Sequence, residues 1–168
     1  MTNNYKKLDE MKEIKYDVAL DLVKKEIEHI LSKSPLIIRE YTKHLLTSQG
    51  KYIRAISVLI SAEDKEGFVH PNAIKVAAAI EILHLATLVH DDIMDNADIR
   101  RGNATLQKKY GKRTAVICGD YLLCASLNLV ASIQNRENYL NLDMPDYMGK
   151  VCLGELNQHI NNYNYNLS

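Results

Sequence analysis

The stretch from Pro71 to Asp95, PNAIKVAAAIEILHLATLVHDDIMD, constrains the fold more than any other feature of the chain. Proline opens it, as is common in a first helical turn, and neither glycine nor proline recurs within it. Its apolar residues follow helical rather than alternating spacing. The pattern predicts one long central helix, roughly 36 Å from end to end at about 1.5 Å per residue. Other helices must cover such an element for its apolar surface to be buried.

The rest of the chain supplies them. Residues 16 to 32 place Val18, Leu22, Ile27, Ile30 and Leu31 along one predicted helical face. Ser34-Pro35 opens a helix that runs to about Thr47 and ends at Gly50, and another covers about 52 to 63. Gly67 to His70 read as a loop before the central helix, and residues 96 to 104, with Gly102, as a loop after it. A short helix over 105 to 110 and a long one over 112 to 134 follow. Asn135 to Asp143 form a polar link, and Pro145 begins a last helix to about Ile160. With 7 Gly, 3 Pro and few alternating segments, the expected class is all-α, one domain packed around one core. A chain of 168 residues is long enough for that core.

Lys plus Arg and Asp plus Glu both number 21, so the basic footprint of a nucleic-acid-binding domain is absent. No uninterrupted apolar run reaches the roughly 18 residues that span a bilayer. The opening MTNNYKKLDEMKEIKYD is polar and mixed in charge, unlike a secretory signal, so a cytoplasmic location is expected. Cys118, Cys124 and Cys152 lack metal-ligand spacing and sit in apolar contexts, which predicts buried, reduced thiols.

The end of the central helix carries the chemistry. Asp91 and Asp95 follow His84 by seven and eleven residues, so the three fall on one stripe with Leu88 beside it. Carboxylates at a helix C-terminus oppose the macrodipole, and Asp91 and Asp95 repel as a pair one turn apart. A divalent cation reverses both penalties. Mg²⁺ suits such a site because it takes oxygen ligands from one or two carboxylates and from substrate phosphates. A solvated acidic helix end has the same pattern. Two cationic pairs bear on the choice: Lys51 with Arg54 in SQGKYIRA, and Arg100 with Arg101 just past the aspartates. Arginine offers phosphate a bidentate fork and lysine a point charge. Together these groups describe a cavity for two phosphorylated ligands, one held through metal and one directly.

The run EILHLATLVHDDIMDNADIRRGNATLQKKYGKRTAVICGDYLL closely resembles the trans-isoprenyl diphosphate synthases, or polyprenyl synthetases. The family's GKxxR element matches Gly50, Lys51 and Arg54. Its first DDxxD motif matches Asp91, Asp92 and Asp95, and its Arg-Arg-Gly matches Arg100, Arg101 and Gly102. Gly119-Asp120 and GELNQ, Gly154 to Gln158, match later helices, so the likeness extends from about Pro35 to Gln158. The resemblance implies an all-helical bundle around a deep central cavity, and condensation of isopentenyl diphosphate with an allylic diphosphate. Carried over by position, Lys51, Arg54, His84 and Arg101 would hold the isopentenyl diphosphate. Asp91 and Asp95 would bind Mg²⁺ against the allylic diphosphate, with Asp92 in support and Arg100 touching that diphosphate. In this family bulky side chains just before the first aspartate floor the product tunnel. Ala86 and Thr87 stand there and are small, which implies a product longer than farnesyl; a close helix contact at Ala86 is the other reading.

The chain departs from the family pattern in places. Gln49 replaces a usual glycine, Tyr52 a usual basic residue and Ala55 a usual proline. Family members are about twice as long and carry a second DDxxD motif, whereas the carboxylates after Arg113 are only Asp120, Glu137, Asp143, Asp146 and Glu155. The terminal NLS has the look of a helix lead-in, with Ser168 as N-cap. These features make residues 1–168 the expected N-terminal part of a single synthetase domain, without its C-terminal half and not competent alone. A homodimer is the family's usual state. The alternatives are a non-catalytic subunit of a heteromeric prenyl synthase, a terpene cyclase, which needs no GKxxR element, and a plain helical interaction module.

Overall fold

The computed structural model describes residues 13–47, 50–133 and 144–161. Two compact units are present, residues 1–133 and 134–168. The first holds helices α1 (Tyr16–Ser32), α2 (Leu36–Leu46), α3 (Ile53–Ala62), α4 (Pro71–Met94), α5 (Leu106–Tyr110) and α6 (Lys112–Ala131). The second holds α7 (Met144–Ile160). The expected polar link from Asn135 to Asp143 and the Ser168 cap lie outside the described residues.

Helix α4 is the axis of the first unit and packs against α6, α1 and α3. His70 caps it: its Nδ1 accepts the Asn72 N–H at 3.1 Å, and Pro71 occupies the first turn, where a missing N–H costs nothing. Ala77, Ala78 and Ala79 are consecutive and all fully buried, so α4 is covered on more than one side. Ile74 and Ile82 add fully buried bulk, each worth roughly 1.5–3 kcal/mol relative to exposure. Helix α6 runs antiparallel to α4. Near one end of their seam the buried Ser126 hydroxyl donates to the Ala79 carbonyl at 2.8 Å; near the other, His90 lies against Gly119. Alanine and glycine along this seam let the two backbones approach closely.

Among the described residues four short strands form two ribbons. β1 (Ile14–Lys15) pairs antiparallel with β2 (Phe68–Val69), Ile14 opposite Val69. β3 (Ile99–Arg100) pairs with β4 (Asn103–Ala104). Both places were expected to be irregular: Gly67 to His70 as a loop, residues 96 to 104 as another. Each strand has two residues, too short to show alternation; β2 finds its partner some fifty residues earlier in the chain, whereas β3 and β4 close a tight local hairpin.

Three other expectations are corrected. The buried stripe of α1 is Ala19, Val23, Ile27 and Leu31 at four-residue spacing, and Val18, one position off it, is 48% exposed. Cys118 is buried, and burial pushes its thiol up to about 11. Cys124 and Cys152 are exposed; Cys124 lies off the Cys118–Leu122–Ser126 row that faces the core. Finally, α4 and α6 are both long and apolar enough to cross a membrane by length and composition, contrary to the reading of uninterrupted runs. Within the fold they pack on each other, as core helices do.

Candidate functional site

The site gathers where the end of α4, the start of α3 and the β3–β4 ribbon meet. Helix α3 begins just past Gly50-Lys51, with Tyr52 as its N-cap in the left-handed region at φ 53°. Lys51 and Arg54 are exposed and line the same cavity. Lys51 precedes the helix, so it reaches that cavity from the segment leading into α3 and not from the helix itself. The cavity holds about 360 Å³, and Glu81, His84 and Arg101 complete its charged wall.

Arg101 arrives there through an unusual turn. Arg101 and Gly102 both have positive φ, 50° and 81°, as a two-residue type I′ turn requires. Glycine adopts this readily and arginine does not. The turn sends the Arg101 guanidinium back to Gly50, where a methyl group would lie only 2.7 Å from Nη1. Gly50 therefore makes room for the guanidinium. Among the described residues, the non-glycine positions with positive φ are Tyr52, Asn96 and Arg101. Two line the cavity and the third directly follows Asp95. Left-handed non-glycine residues concentrate where geometry is held for function.

Arg100 goes elsewhere. Its Nε donates to Asp92 Oδ1 at 2.6 Å, and Asp92 is buried. The adjacent arginines thus do not act as the single cationic pair suggested by their order; the ribbon sends one to the aspartates and the other to Gly50. Asp92 is tied down further by its carbonyl, which accepts from the Gln107 side chain at 2.6 Å and from the Ala97 N–H at 2.9 Å. Asp91 is half-buried and Asp95, the C-cap of α4, is exposed. Among the described residues, no three His, Cys, Asp or Glu side chains converge to hold a metal. The Asp91 and Asp95 carboxylates lie one turn apart, and two carboxylates completed by ligand oxygens are a donor set that suits Mg²⁺.

His84 is half-buried in the cavity wall. Burial pushes its imidazole below the ordinary 6.5; the Arg54 and Arg101 cations add to this, and Glu81 and Asp91 oppose it. These effects together favour the neutral imidazole. Ala86 is 1% exposed, and the Thr87 hydroxyl donates to the His84 carbonyl at 2.8 Å.

Two features were not singled out from sequence. Glu81 lies one turn before His84, a spacing that placed it on the same wall all along. His90 sits over Gly119, with Nε2 3.3 Å from Asp120 Oδ1, which accounts physically for the Gly-Asp pair of α6.

The family model for polyprenyl synthetases matches residues 35–168. Over 146 residues the chain is 36% identical to heptaprenyl diphosphate synthase component 2 of Bacillus subtilis (strain 168), covering 86% of this chain and 41% of that protein. The fold is similar to heptaprenyl diphosphate synthase from Staphylococcus aureus, with TM-score 0.79 and 29% identity over 92% of this chain and 48% of the other. It is also similar to a polyprenyl synthase from Caulobacter crescentus CB15, solved in complex with calcium and isoprenyl diphosphate, with TM-score 0.76, 26% identity and coverage of 90% and 45%. The chain spans less than half the length of the curated relatives it matches. With the family model matched over most of its length and the family's helical fold present, the chain belongs to the polyprenyl synthetase family.

Proposed function

We propose that this chain carries the diphosphate-binding part of a trans-polyprenyl diphosphate synthase, which condenses isopentenyl diphosphate with an allylic diphosphate in isoprenoid biosynthesis. The observation that carries the reading is the cavity wall of Lys51, Arg54, His84 and Arg101, with His84 on the same helix α4 that ends in the aspartates. Cations from separate elements aimed at one space suit an anion with several oxygens. In this reading they hold isopentenyl diphosphate. Arg100, paired with Asp92, would contact the allylic diphosphate.

Asp91 and Asp95 would hold Mg²⁺ with oxygens of the allylic diphosphate, and the ion when bound supplies Lewis acidity against the charge of the leaving group. The allylic C–O bond breaks and its electron pair leaves with the diphosphate. The isopentenyl double bond attacks the allylic carbon, and the resulting cation loses a proton to give the longer chain. Arginine stabilises the developing diphosphate charge. Apolar helix faces keep water from the cation. Ala86 and Thr87, both small, support a medium- or long-chain product, which would be delivered to a membrane. Relatives named as heptaprenyl and octaprenyl synthases agree with that length.

The 168 residues by themselves do not elongate prenyl chains in this proposal, because they include one aspartate-rich motif where the family uses two. The protein acts in the cytoplasm as a homodimer. A second reading, a subunit of a heteromeric synthase, is favoured by one observation: the Bacillus relative is itself named as component 2.

The test is calorimetric binding of isopentenyl diphosphate to the chain. Lys51→Ala and Arg54→Ala should each weaken it by about tenfold or more, the loss of one or two charge-assisted hydrogen bonds. Geranyl diphosphate should bind only with Mg²⁺ and should tolerate both substitutions. Equal losses for both ligands would defeat the assignment of two separate diphosphate positions.

A further inference from the structure

The cation-lined cavity contains one group that an anion site would not be expected to hold. Glu81 belongs to its wall, together with Lys51, Arg54, His84 and Arg101. A carboxylate there repels any bound phosphate. The hydrogen bonds around it give it a purpose.

The first turn of a helix has N–H groups with no intrahelical acceptor. A side chain at the N-cap usually serves them, but Tyr52 makes no such bond and the first turn of α3 contains no acidic residue. Ala55, third in that helix, is fully buried, so its N–H has no access to water. Glu81 Oε1, from α4, accepts it at 3.0 Å. The cap of α3 is therefore borrowed from another helix. The bond pins the turn between Lys51 and Arg54 to the stretch of α4 that carries His84.

We propose that Glu81 is a positioning residue for the diphosphate site: by capping α3 through the Ala55 N–H, it holds Lys51 and Arg54 against His84 so that all three address one ligand. The proposal rests on the cavity binding a diphosphate, as set out above. Its carboxylate is also the local counter-charge of the cation cluster. Glu81 raises the pKa of Tyr52, whose largest cause is burial, and moderates the lowered pKa of His84. Positioning and repulsion act in opposite directions on binding, and that separates them experimentally.

The experiment measures inorganic pyrophosphate binding by calorimetry to the whole chain and three substitutions, with circular dichroism and thermal melts as the check on folding. Glu81→Gln keeps an oxygen that can accept the Ala55 N–H and removes the charge, so its affinity should equal the parent's or exceed it by roughly threefold. Glu81→Ala removes the acceptor and should weaken binding by about tenfold. Ala55→Pro deletes the donor and installs the residue usual at this position in the family, so no buried N–H is left to satisfy and affinity should stay near the parent's. In that background Glu81→Ala should change affinity by less than about twofold, because the bond is already gone. Should Glu81→Ala fail to fold, Glu81→Gln and the Ala55→Pro, Glu81→Ala double variant decide: each must bind within about threefold of the parent, and a loss of about tenfold in either overturns the positioning role.

Parental affinity in Glu81→Ala, or an equal loss in Glu81→Gln and Glu81→Ala, overturns the positioning role and leaves the diphosphate site standing. Absence of pyrophosphate binding by the parent chain overturns both. A conservative glutamine that restores binding is an outcome that simple loss of fold could not produce.

Discussion

Asp92 and Asp95 belong to the same short acidic run, yet their surroundings assign them different work. Asp92 is buried, and its carboxylate takes the Arg100 Nε at 2.6 Å. Removing one partner of a buried pair strands the other, which costs more than the pair contributes. Asp92→Ala should therefore destabilise the fold by about 2 kcal/mol, less than a fully buried pair because Arg100 is part-exposed. Asp95 is exposed at the helix end, so Asp95→Ala should move stability by no more than about 0.5 kcal/mol. Asp95→Ala should nevertheless abolish Mg²⁺-dependent binding of an allylic diphosphate. Urea denaturation and calorimetry on the same two proteins check this. Equal stability loss from both substitutions would show that the two aspartates are not divided between structure and ligand.

At the scale of elements, the seam between α4 and α6 aligns the aspartate-bearing end of the central helix. His90 immediately precedes Asp91, and its ring rests on Gly119. A methyl group at 119 would lie 2.8 Å from His90 Cδ2 and 2.9 Å from Cε1. An imidazole at a helix seam has no long flexible end with which to yield. Alanine gains about 1 kcal/mol over glycine in helix propensity, whereas overpacking costs about 1–3 kcal/mol. The second effect should win. Gly119→Ala is expected to lower the urea midpoint by an amount equivalent to about 1 kcal/mol, and to weaken Mg²⁺-dependent ligand binding as His90 is displaced. A stabilised variant would mean that propensity outweighs the seam contact.

For the whole molecule, the prediction concerns turnover. The chain alone should give no prenyl elongation from isopentenyl and allylic diphosphates with Mg²⁺. Addition of the C-terminal half of a related synthase, bearing a second aspartate cluster, should restore product. In that reconstituted enzyme Thr87→Phe should shorten the product by at least one isoprene step, read by chromatography of the dephosphorylated alcohols. Thr87 is the better position for the test, because it is half-buried, whereas Ala86 is 1% exposed and a phenyl ring there would overpack the core. Rapid elongation by the unsupplemented chain would refute the proposed incompleteness.

Most of the helices could be read in the sequence because their determinants are local. Pro71, the apolar period and the polar breaks at Gly50 and Gly102 mark element ends within a few residues of where they lie. The aspartates could be grouped for the same reason, since spacing along one helix is enough, whereas the cationic residues could be listed but not paired. Chemical identity and helical spacing thus belong to the sequence itself. Direction and burial do not, since they depend on which elements meet. Arg100 and Arg101 are neighbours in the chain, but the positive-φ turn sends one to Asp92 and the other to Gly50. Val18 looked buried by period and is exposed because α1 rests on the adjacent stripe. Glu81 became a cap for α3 only when packing brought its carboxylate to the Ala55 N–H, 26 residues away in sequence. Tertiary structure decided these points, because a hydrogen bond or a buried face needs a partner, and that partner comes from a distant part of the chain.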